Sequence, residues 1–566
     1  MLPTRLDPGS RSAALAAMSK TELDVLVVGG GVVGGGAALD AVTRGLSVGL
    51  VEARDYASGT SSRSSKLVHG GLRYLEQLDF GLVREALKER SLILHHLAPH
   101  LARPIPFLYP LQHRVWERFY VGSGVLLYDT MGGRKGVPTH RHLTRRQALR
   151  KFPSLRKDAL VGAIQYYDGQ IDDARHTMML ARTAAHYGAL CASSARVTGF
   201  LREGDRVVGA RVRDLESGVE HEIRARQTIN AAGVWTDDLQ ELVGGRGQLR
   251  VRASKGVHIL VPRDRIHART GIIARTATSV LFIIPWEQHW IIGTTDTDWD
   301  LDKAHPAASQ HDIDYLLEHA NRLLAQPLTH DDVVGVYAGL RPLLSGESDA
   351  TSQLSREHAV VTPVAGLTLI AGGKYTTYRV MAKDAVDAVV HGLPDRVPRS
   401  CTERVPLLGA DGFEALWNSR ERLAEDSGLH VARIEHLLRR YGSLVHEVLS
   451  LVDEDPTLGE PLPGADSYLR VEAVYAALAE GALHLDDILT RRTRISIETE
   501  DRGLAASEEV ADLVAPVLGW DTETVKLEIE HYRARVAAER ESQQQPDDRT
   551  ADAARLGAPD VRGAGS

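Results

Sequence analysis

Apolar residues fall in short runs through the first two thirds of the chain and at helical spacing in the last third. Asp24 to Val28 reads DVLVV, the pattern of a strand buried on both faces of a parallel sheet. Ser47 to Val51 follows as a second strand, and Gln227 to Ala232 and Leu367 to Ala371 read as later returns to the same sheet. Val333 to Tyr337 adds another short strand, and Val257 to Val261, Val280 to Ile284 and Trp290 to Ile292 are apolar or alternating. From about residue 400 the pattern turns helical. Ala432 to Val452 and Leu469 to Leu489 carry apolar residues three and four apart. The two ends lack such periods. Residues 1–20 contain arginines and a short Ala-rich run too brief for a secretion signal, so a flexible extension is expected, with Met18 a conceivable start. Residues 541–566, rich in Gln, Asp, Ala and Gly, are expected to be disordered. No apolar run reaches the roughly 18 residues of a spanning helix.

The first strand runs into Gly29-Gly30-Gly31-Val32-Val33-Gly34, in which Gly29, Gly31 and Gly34 fit G-x-G-x-x-G. Gly29 permits a tight turn, Gly31 lets backbone approach a pyrophosphate, and Gly34 lets helix pack on strand. A helix over about Gly34 to Arg44 then aims its amides and dipole at phosphate, and Gly45 suits its C-terminal cap. The second strand ends in Glu52, where a ribose hydroxyl is usually held. Strand, turn, helix, strand and acid in this order predict a dinucleotide site, without separating FAD from NAD.

The chain next enters a hydroxyl-rich loop, Gly59 to Lys66, whose Thr60, Ser61, Ser62, Ser65 and Lys66 can donate to phosphate and sugar oxygens. Leu67-Val68-His69-Gly70-Gly71-Leu72-Arg73-Tyr74 follows. Gly233 closes the QTINAA strand. Gly372-Gly373-Lys374 opens a helix after another strand, with Thr376 just beyond, and a Gly-Gly turn at a helix N-terminus would stabilise the negative charge of a reduced flavin.

The 566 residues allow two to four domains. A net charge of -8 argues against a nucleic-acid binder. Cys191 and Cys401 are too far apart for a CxxC or metal-ligand cluster, so no metal is expected and a reducing cytoplasmic setting fits best.

GGGVVGGG, GTSSRSSKLVHGGLRYLE, SKGVHILVP, FIIPWEQHWIIGTTDTD, YAGLRPLL, SREH and GGKYTTYR, in this order, resemble the FAD-dependent glycerol-3-phosphate dehydrogenase family over roughly residues 23–532. The resemblance implies an α/β fold: a glutathione-reductase-like FAD-binding domain, an inserted sheet-rich substrate domain and a helical C-terminal domain. The expected boundaries are 21–105, 160–245 and 335–395 for the flavin domain, 106–159 and 246–334 for the substrate domain, and 400–540 for the helical domain. It implies oxidation of sn-glycerol 3-phosphate to dihydroxyacetone phosphate, with electrons passed to a quinone, and a homodimer. Non-covalent FAD is expected, although His69 lies where some flavoproteins attach the cofactor covalently.

By the same resemblance Arg73, Tyr74, Thr294, Arg356 and Lys374 contact substrate, His258 and Arg341 are the candidates for the hydroxyl proton, and Leu67 joins the cofactor residues. Cationic forks suit a phosphate dianion; an imidazole suits proton transfer and a guanidinium does not. A glycerol-3-phosphate oxidase using oxygen, a NAD-dependent dehydrogenase and a non-enzymatic nucleotide-binding protein are the competing readings. The basic run from His140 to Lys157 is either a solvated face or a patch for reversible contact with anionic lipid on the cytoplasmic side.

Overall fold

The computed structural model describes residues 4–71, 80–113, 117, 121–122, 124–127, 137–244, 249–276, 280–344 and 357–562. Two large sheets and a helical unit that carries a two-stranded ribbon, Pro461–Leu462 with Ala465–Leu469, make up these residues.

The first sheet runs in the order His358–Val364, Leu367–Gly372, Glu220–Asn230, Leu23–Val28, Val48–Val51, Leu190–Ala192. All its neighbours on this path are parallel except the edge pair His358–Val364 with Leu367–Gly372. From Leu23–Val28 the chain moves outward to one side, and later returns on the other side at Glu220–Asn230. This is a topological switch point, and a crevice opens at the carboxyl ends of these two strands. Helix Val32–Thr43 covers one face, against helices Asp173–His186 and Tyr378–Val390. A Cβ on Gly35 would lie 3.1 Å from the Leu180 Cβ, and one on Gly36 would lie 3.0 Å from the Tyr378 ring. The glycines after the turn therefore let three helices approach closely.

The second sheet is mainly antiparallel: Thr297–Trp299, Val251–Pro262, His289–Gly293, Val280–Trp286, Gly271–Arg275, Ala102–Leu111, Gly162–Ile171, Leu67–Val68. Gly335–Leu344 pairs along the whole of Val251–Pro262, and Arg141–Thr144 pairs with Gly162–Ile171. This corrects the boundaries expected from sequence. All of Gly162–Ile171 and Gly335–Leu344 and part of Ala102–Leu111 fall in segments assigned to the flavin domain, yet they build the other sheet. Apolar runs buried on both faces do not reveal which sheet they join.

In the helical unit Ala432–Val452 is two helices, Val431–Tyr441 and Val445–Glu454, because Gly442 turns the chain at φ +56°. The stretch from Leu469 is similarly cut after helix Arg470–Ala479, at Gly481 with φ +72°.

Both chain ends are corrected too. Pro8–Met18 is a helix, with Pro8 at its first turn and the Asp7 carboxylate accepting from Ser10 N at 2.7 Å. Leu15 and Met18 are buried, and Arg11 pairs with Asp214. At the other end Asp548–Arg555 is a helix whose Ala551 is buried, and Arg562 is buried on Asp487. This tail is held chiefly by ion pairs to distant residues, which composition does not register. Among the described residues no helix is long and apolar enough to cross a membrane.

Candidate functional site

A cavity of about 900 Å³ opens between the two sheets, toward the upper end of the roughly 300–1,000 Å³ common for ligand sites. The glycine turn forms one end. Gly29, at φ +110°, leaves room for the Ala231 carbonyl, which a Cβ would approach to 2.7 Å. A Cβ on Gly34 would stand 1.8 Å from the Gly29 carbonyl oxygen, so Gly34 packs helix on turn and is not on the cavity wall. Gly29 and Gly31 are on that wall. Gly31 precedes helix Val32–Thr43; Gly31 has no side chain to cap it and the Val32 N–H is taken by Ser61 Oγ, but the positive end of the helix dipole still lies at the cavity, which Gly31, Val32 and Val33 line.

Glu52 holds its carboxylate at the same end. Its Oε2 accepts from Gly30 N at 2.5 Å and its Oε1 from Arg54 N at 2.8 Å. Burial raises its pKa above the usual range, while these two backbone bonds pull it back.

The hydroxyl-rich loop reaches the cavity through Thr60, Ser61 and Ser65, and Leu67 lies beyond it. Ser61 Oγ accepts from Val32 N at 3.0 Å, and Thr60 Oγ1 donates to the Leu340 carbonyl at 2.6 Å. Lys66 and Ser62 are corrections. The Lys66 ammonium is fully buried away from the cavity, 2.9 Å from Asp173 Oδ1 and 3.2 Å from the Ser62 carbonyl. A lysine charge taken out of water needs a carboxylate, and Asp173 supplies it. Asp173 also accepts from Ser64 N, Ser64 Oγ and Arg494 Nη2, at 2.9, 2.7 and 2.6 Å, and so fixes the loop. Gly233, Gly372, Gly373 and Thr376 line the cavity from the other strands. Gly372 and Gly373 adopt φ +80° and +79°, and Thr376 Oγ1 bridges the N–H and carbonyl of His69 at 3.0 and 3.1 Å.

The second sheet faces this arrangement with charged groups. His258, on Val251–Pro262, is 2% exposed and lies 2.8 Å from Ser65 Oγ through Nε2. Its ring stacks on Tyr337 at 4.7 Å, and burial, followed by the charges of Arg341 and Lys66, drives its pKa well below the ordinary histidine value. The imidazole is therefore neutral at pH 7. Arg341 donates from Nη2 to Thr294 Oγ1 at 2.9 Å and from Nη1 to Asp296 at 3.3 Å. Lys374, which follows the Gly372-Gly373 turn of the first sheet, also lines the cavity.

Thr294 thus differs from its expected role: among the described residues it touches Arg341 and is not on the cavity wall. Arg73, Tyr74 and Arg356 lie outside the described residues. Sequence reasoning missed Tyr337, Asp296, Asp173 and Arg54. Tyr337 becomes visible only through register, because it pairs with His258 across adjacent strands.

The cavity supplies a ribose carboxylate, a helix amide end, hydroxyl donors and two Gly-Gly approaches, a donor set that fits an elongated dinucleotide such as FAD. Residues 24–379 match the family described as FAD dependent oxidoreductase, and residues 400–525 match the C-terminal domain of alpha-glycerophosphate oxidase. The chain is 61% identical over 557 residues to the glycerol-3-phosphate dehydrogenase of Mycobacterium leprae (strain TN), covering 98% of this chain and 95% of that one. It is 38% identical over 553 residues to the mitochondrial glycerol-3-phosphate dehydrogenase of Mus musculus, covering 93% and 75%. The solved structure of the glycerol-3-phosphate dehydrogenase from Bacillus halodurans, complexed with FAD, is similar with a TM-score of 0.78 at 31% identity, covering 94% and 98%. On this fold, cavity and likeness, the chain belongs to the FAD-dependent oxidoreductases, in the glycerol-3-phosphate dehydrogenase family.

Proposed function

We propose that this cavity oxidises sn-glycerol 3-phosphate to dihydroxyacetone phosphate and that the electrons pass on to a quinone. The observation that carries this reading is that His258 and Arg341 of the second sheet and Lys374, beside the Gly372-Gly373 turn of the first, line one cavity. Arg341 and Lys374 provide positive charge for a phosphate dianion. The Arg341 guanidinium is held by the sheet through both Nη atoms, so it acts as a fixed charge. Arg73, Tyr74 and Arg356 are proposed to complete the substrate pocket.

FAD, when bound, supplies the hydride acceptor. The protein's part is to hold the alcohol and take its proton. Of the two candidates, His258 is the base: its imidazole is neutral and lines the cavity, and a guanidinium stays protonated. His258 would take the O–H proton as the alcohol becomes a ketone, the two-electron hydride being what bound FAD would accept.

The test is anaerobic addition of glycerol 3-phosphate to the purified holoenzyme. Bleaching of flavin absorbance is expected, and an unchanged spectrum refutes the reading. Mixing the reduced enzyme with a quinone analogue or with oxygen then separates a dehydrogenase from an oxidase.

A quinone acceptor implies contact with a bilayer. The proposed surface is the basic run, which forms Arg141–Thr144 and helix Arg145–Lys151 with Arg141, Arg145, Arg146 and Arg150 exposed. Beside it Gly122 approaches the His142 ring, and the same stretch exposes Leu126 and Leu127. Cationic and apolar groups together suit an anionic lipid surface. The protein should sediment with anionic vesicles at low salt and be released at high salt; recovery in the supernatant under both conditions refutes this contact. A homodimer is the proposed assembly, to be read by sedimentation equilibrium.

A further inference from the structure

Arg54 follows the ribose carboxylate Glu52 by two residues and lines both the main cavity and a small cleft behind it. Its guanidinium is not supported by its own sheet. It pairs with the Asp560 carboxylate, 506 residues away, and lies 2.8 Å from His305 Nε2. The segment that brings Asp560 there is anchored at other points. Arg562 grips Asp487 at 2.7 Å and reaches Ser194 Oγ. Asp548 pairs with Lys255 of the second sheet, and Arg555 Nη2 lies 3.1 Å from His305 Nδ1. Ala551 is buried in a cluster with Val234 and Leu340, both of which line the cavity. The end of the chain thus ties both sheets and the helical unit together around the end of the cavity that Glu52 marks.

We infer that Asp560 is a positioning residue for Arg54, and that the C-terminal segment thereby helps to retain the adenosine half of FAD. The inference rests on the flavin reading above. The physical reason is competition. The charges of Arg562 and Arg491 act on Arg54 unfavourably, and Asp560 is the acid it is paired with; Asp486 also attracts it, but that carboxylate is already taken by Arg491 and Arg535. Without that partner the guanidinium is drawn to Glu52, the carboxylate already bonded to its backbone N–H. It then occupies the oxygens that a ribose hydroxyl requires. Asp560 keeps Arg54 turned away from Glu52 and leaves that carboxylate for the cofactor.

The test measures FAD, not turnover. Holoprotein is stripped of flavin, apoprotein is titrated with FAD by flavin fluorescence, and release is followed on dilution. Asp560→Asn and a chain ending at Ala558 are each expected to raise the FAD dissociation constant by about tenfold or more, the loss of one charge-assisted hydrogen bond, and to speed release accordingly. Asp560→Glu should recover part of the loss. Glu52 is freed again if Arg54 is also neutralised, so the double variant Asp560→Asn/Arg54→Gln should bind FAD more tightly than Asp560→Asn alone. A purely structural role for the tail predicts the opposite, with the double variant at least as weak. Wild-type affinity and release rate in Asp560→Asn, or a double variant no tighter than Asp560→Asn, overturns the inference. A wild-type protein that takes up no FAD overturns the flavin reading along with it, which the wild-type titration alone distinguishes.

Discussion

Gly256→Ala tests whether the placement of the Arg341 guanidinium, and not merely its presence, governs substrate oxidation. A Cβ at Gly256 would lie 2.6 Å from Arg341 Nη2, 2.6 Å from Thr294 Oγ1 and 2.9 Å from Arg341 Cζ. Ordinary contact needs about 3.5 Å, so the guanidinium must move by roughly 0.9 Å. It can do so, because it is the far end of a flexible side chain, whereas the Thr294 hydroxyl, on a stiff β-branched side chain, must give as well. The fold should therefore lose about 1–2 kcal/mol, the lower part of the overpacking range. The displaced group loses its 2.9 Å bond to Thr294 and its place beside His258. A misplacement of about 1 Å at a reacting centre can cost on the order of a hundredfold, so anaerobic flavin reduction by glycerol 3-phosphate should slow by about ten- to a hundredfold. FAD content and thermal midpoint should stay close to wild type. Gly339→Ala is the contrast, since its Cβ would meet the Arg63 carbonyl oxygen at 2.6 Å. Backbone cannot swing aside, and stability should fall by about 2–3 kcal/mol. Normal flavin reduction in Gly256→Ala, measured by stopped flow, would refute the reasoning that Arg341 acts from a fixed position.

Arg341→Ala should weaken flavin reduction by about ten- to a hundredfold, from a lost charge-assisted bond worth about 1.5–3 kcal/mol, with Arg341→Lys only partly restoring it; unchanged reduction kinetics in both would remove Arg341 from the site. Asp173→Ala should destabilise the fold by about 3–5 kcal/mol, because it strands the buried Lys66 ammonium and takes from Arg494 one of its two carboxylates, Asp172 being the other; a wild-type urea midpoint would contradict this. Acid should destabilise the protein partly through His100, whose ring nitrogens have no partner among the described residues and whose pKa burial drives down to about 3. The unfolded chain takes up this proton near pH 6.5 and the native state does not, so His100 makes stability fall by about 1.4 kcal/mol per unit as pH drops from about 6.5 toward 3. His100→Gln should flatten the slope of unfolding free energy between pH 6 and 4 by that amount, and an unaltered slope would show that His100 is not the titrating group.

Local chemistry made much of the cofactor end legible. The turn at Gly29 and Gly31, the helix behind it and the carboxylate of Glu52 lie within some two dozen residues, and each obeys a short-range requirement of backbone geometry or phosphate approach. Of Gly335–Leu344 only the beginning is legible, as the strand Val333 to Tyr337, and Gly162–Ile171 is not read as a strand at all; neither is legible as a member of the second sheet, since pairing partners are chosen by long-range packing. The ends were misread for a related reason. Composition reports how much apolar surface a segment can bury, and both the Pro8–Met18 helix and the tail lean on ion pairs, Arg11 with Asp214 and Arg562 with Asp487.

Lys66 shows where a motif stops being informative. A lysine in a serine-rich loop beside a glycine turn satisfies its charge equally well with a phosphate or with a carboxylate, and nothing within the loop distinguishes the two. Asp173 decides the matter from 107 residues away, at the first turn of a helix whose positive end favours its negative charge. The same carboxylate then takes Ser64 and Arg494, so the loop's shape follows from an acid that is neither in the motif nor on the cavity wall. His258 obeys the same logic: its neutrality follows from burial, from Arg341 and from Lys66. The proposed base therefore senses a lysine that does not itself line the cavity, and on this reading moving the Lys66–Asp173 pair would alter proton transfer without touching substrate.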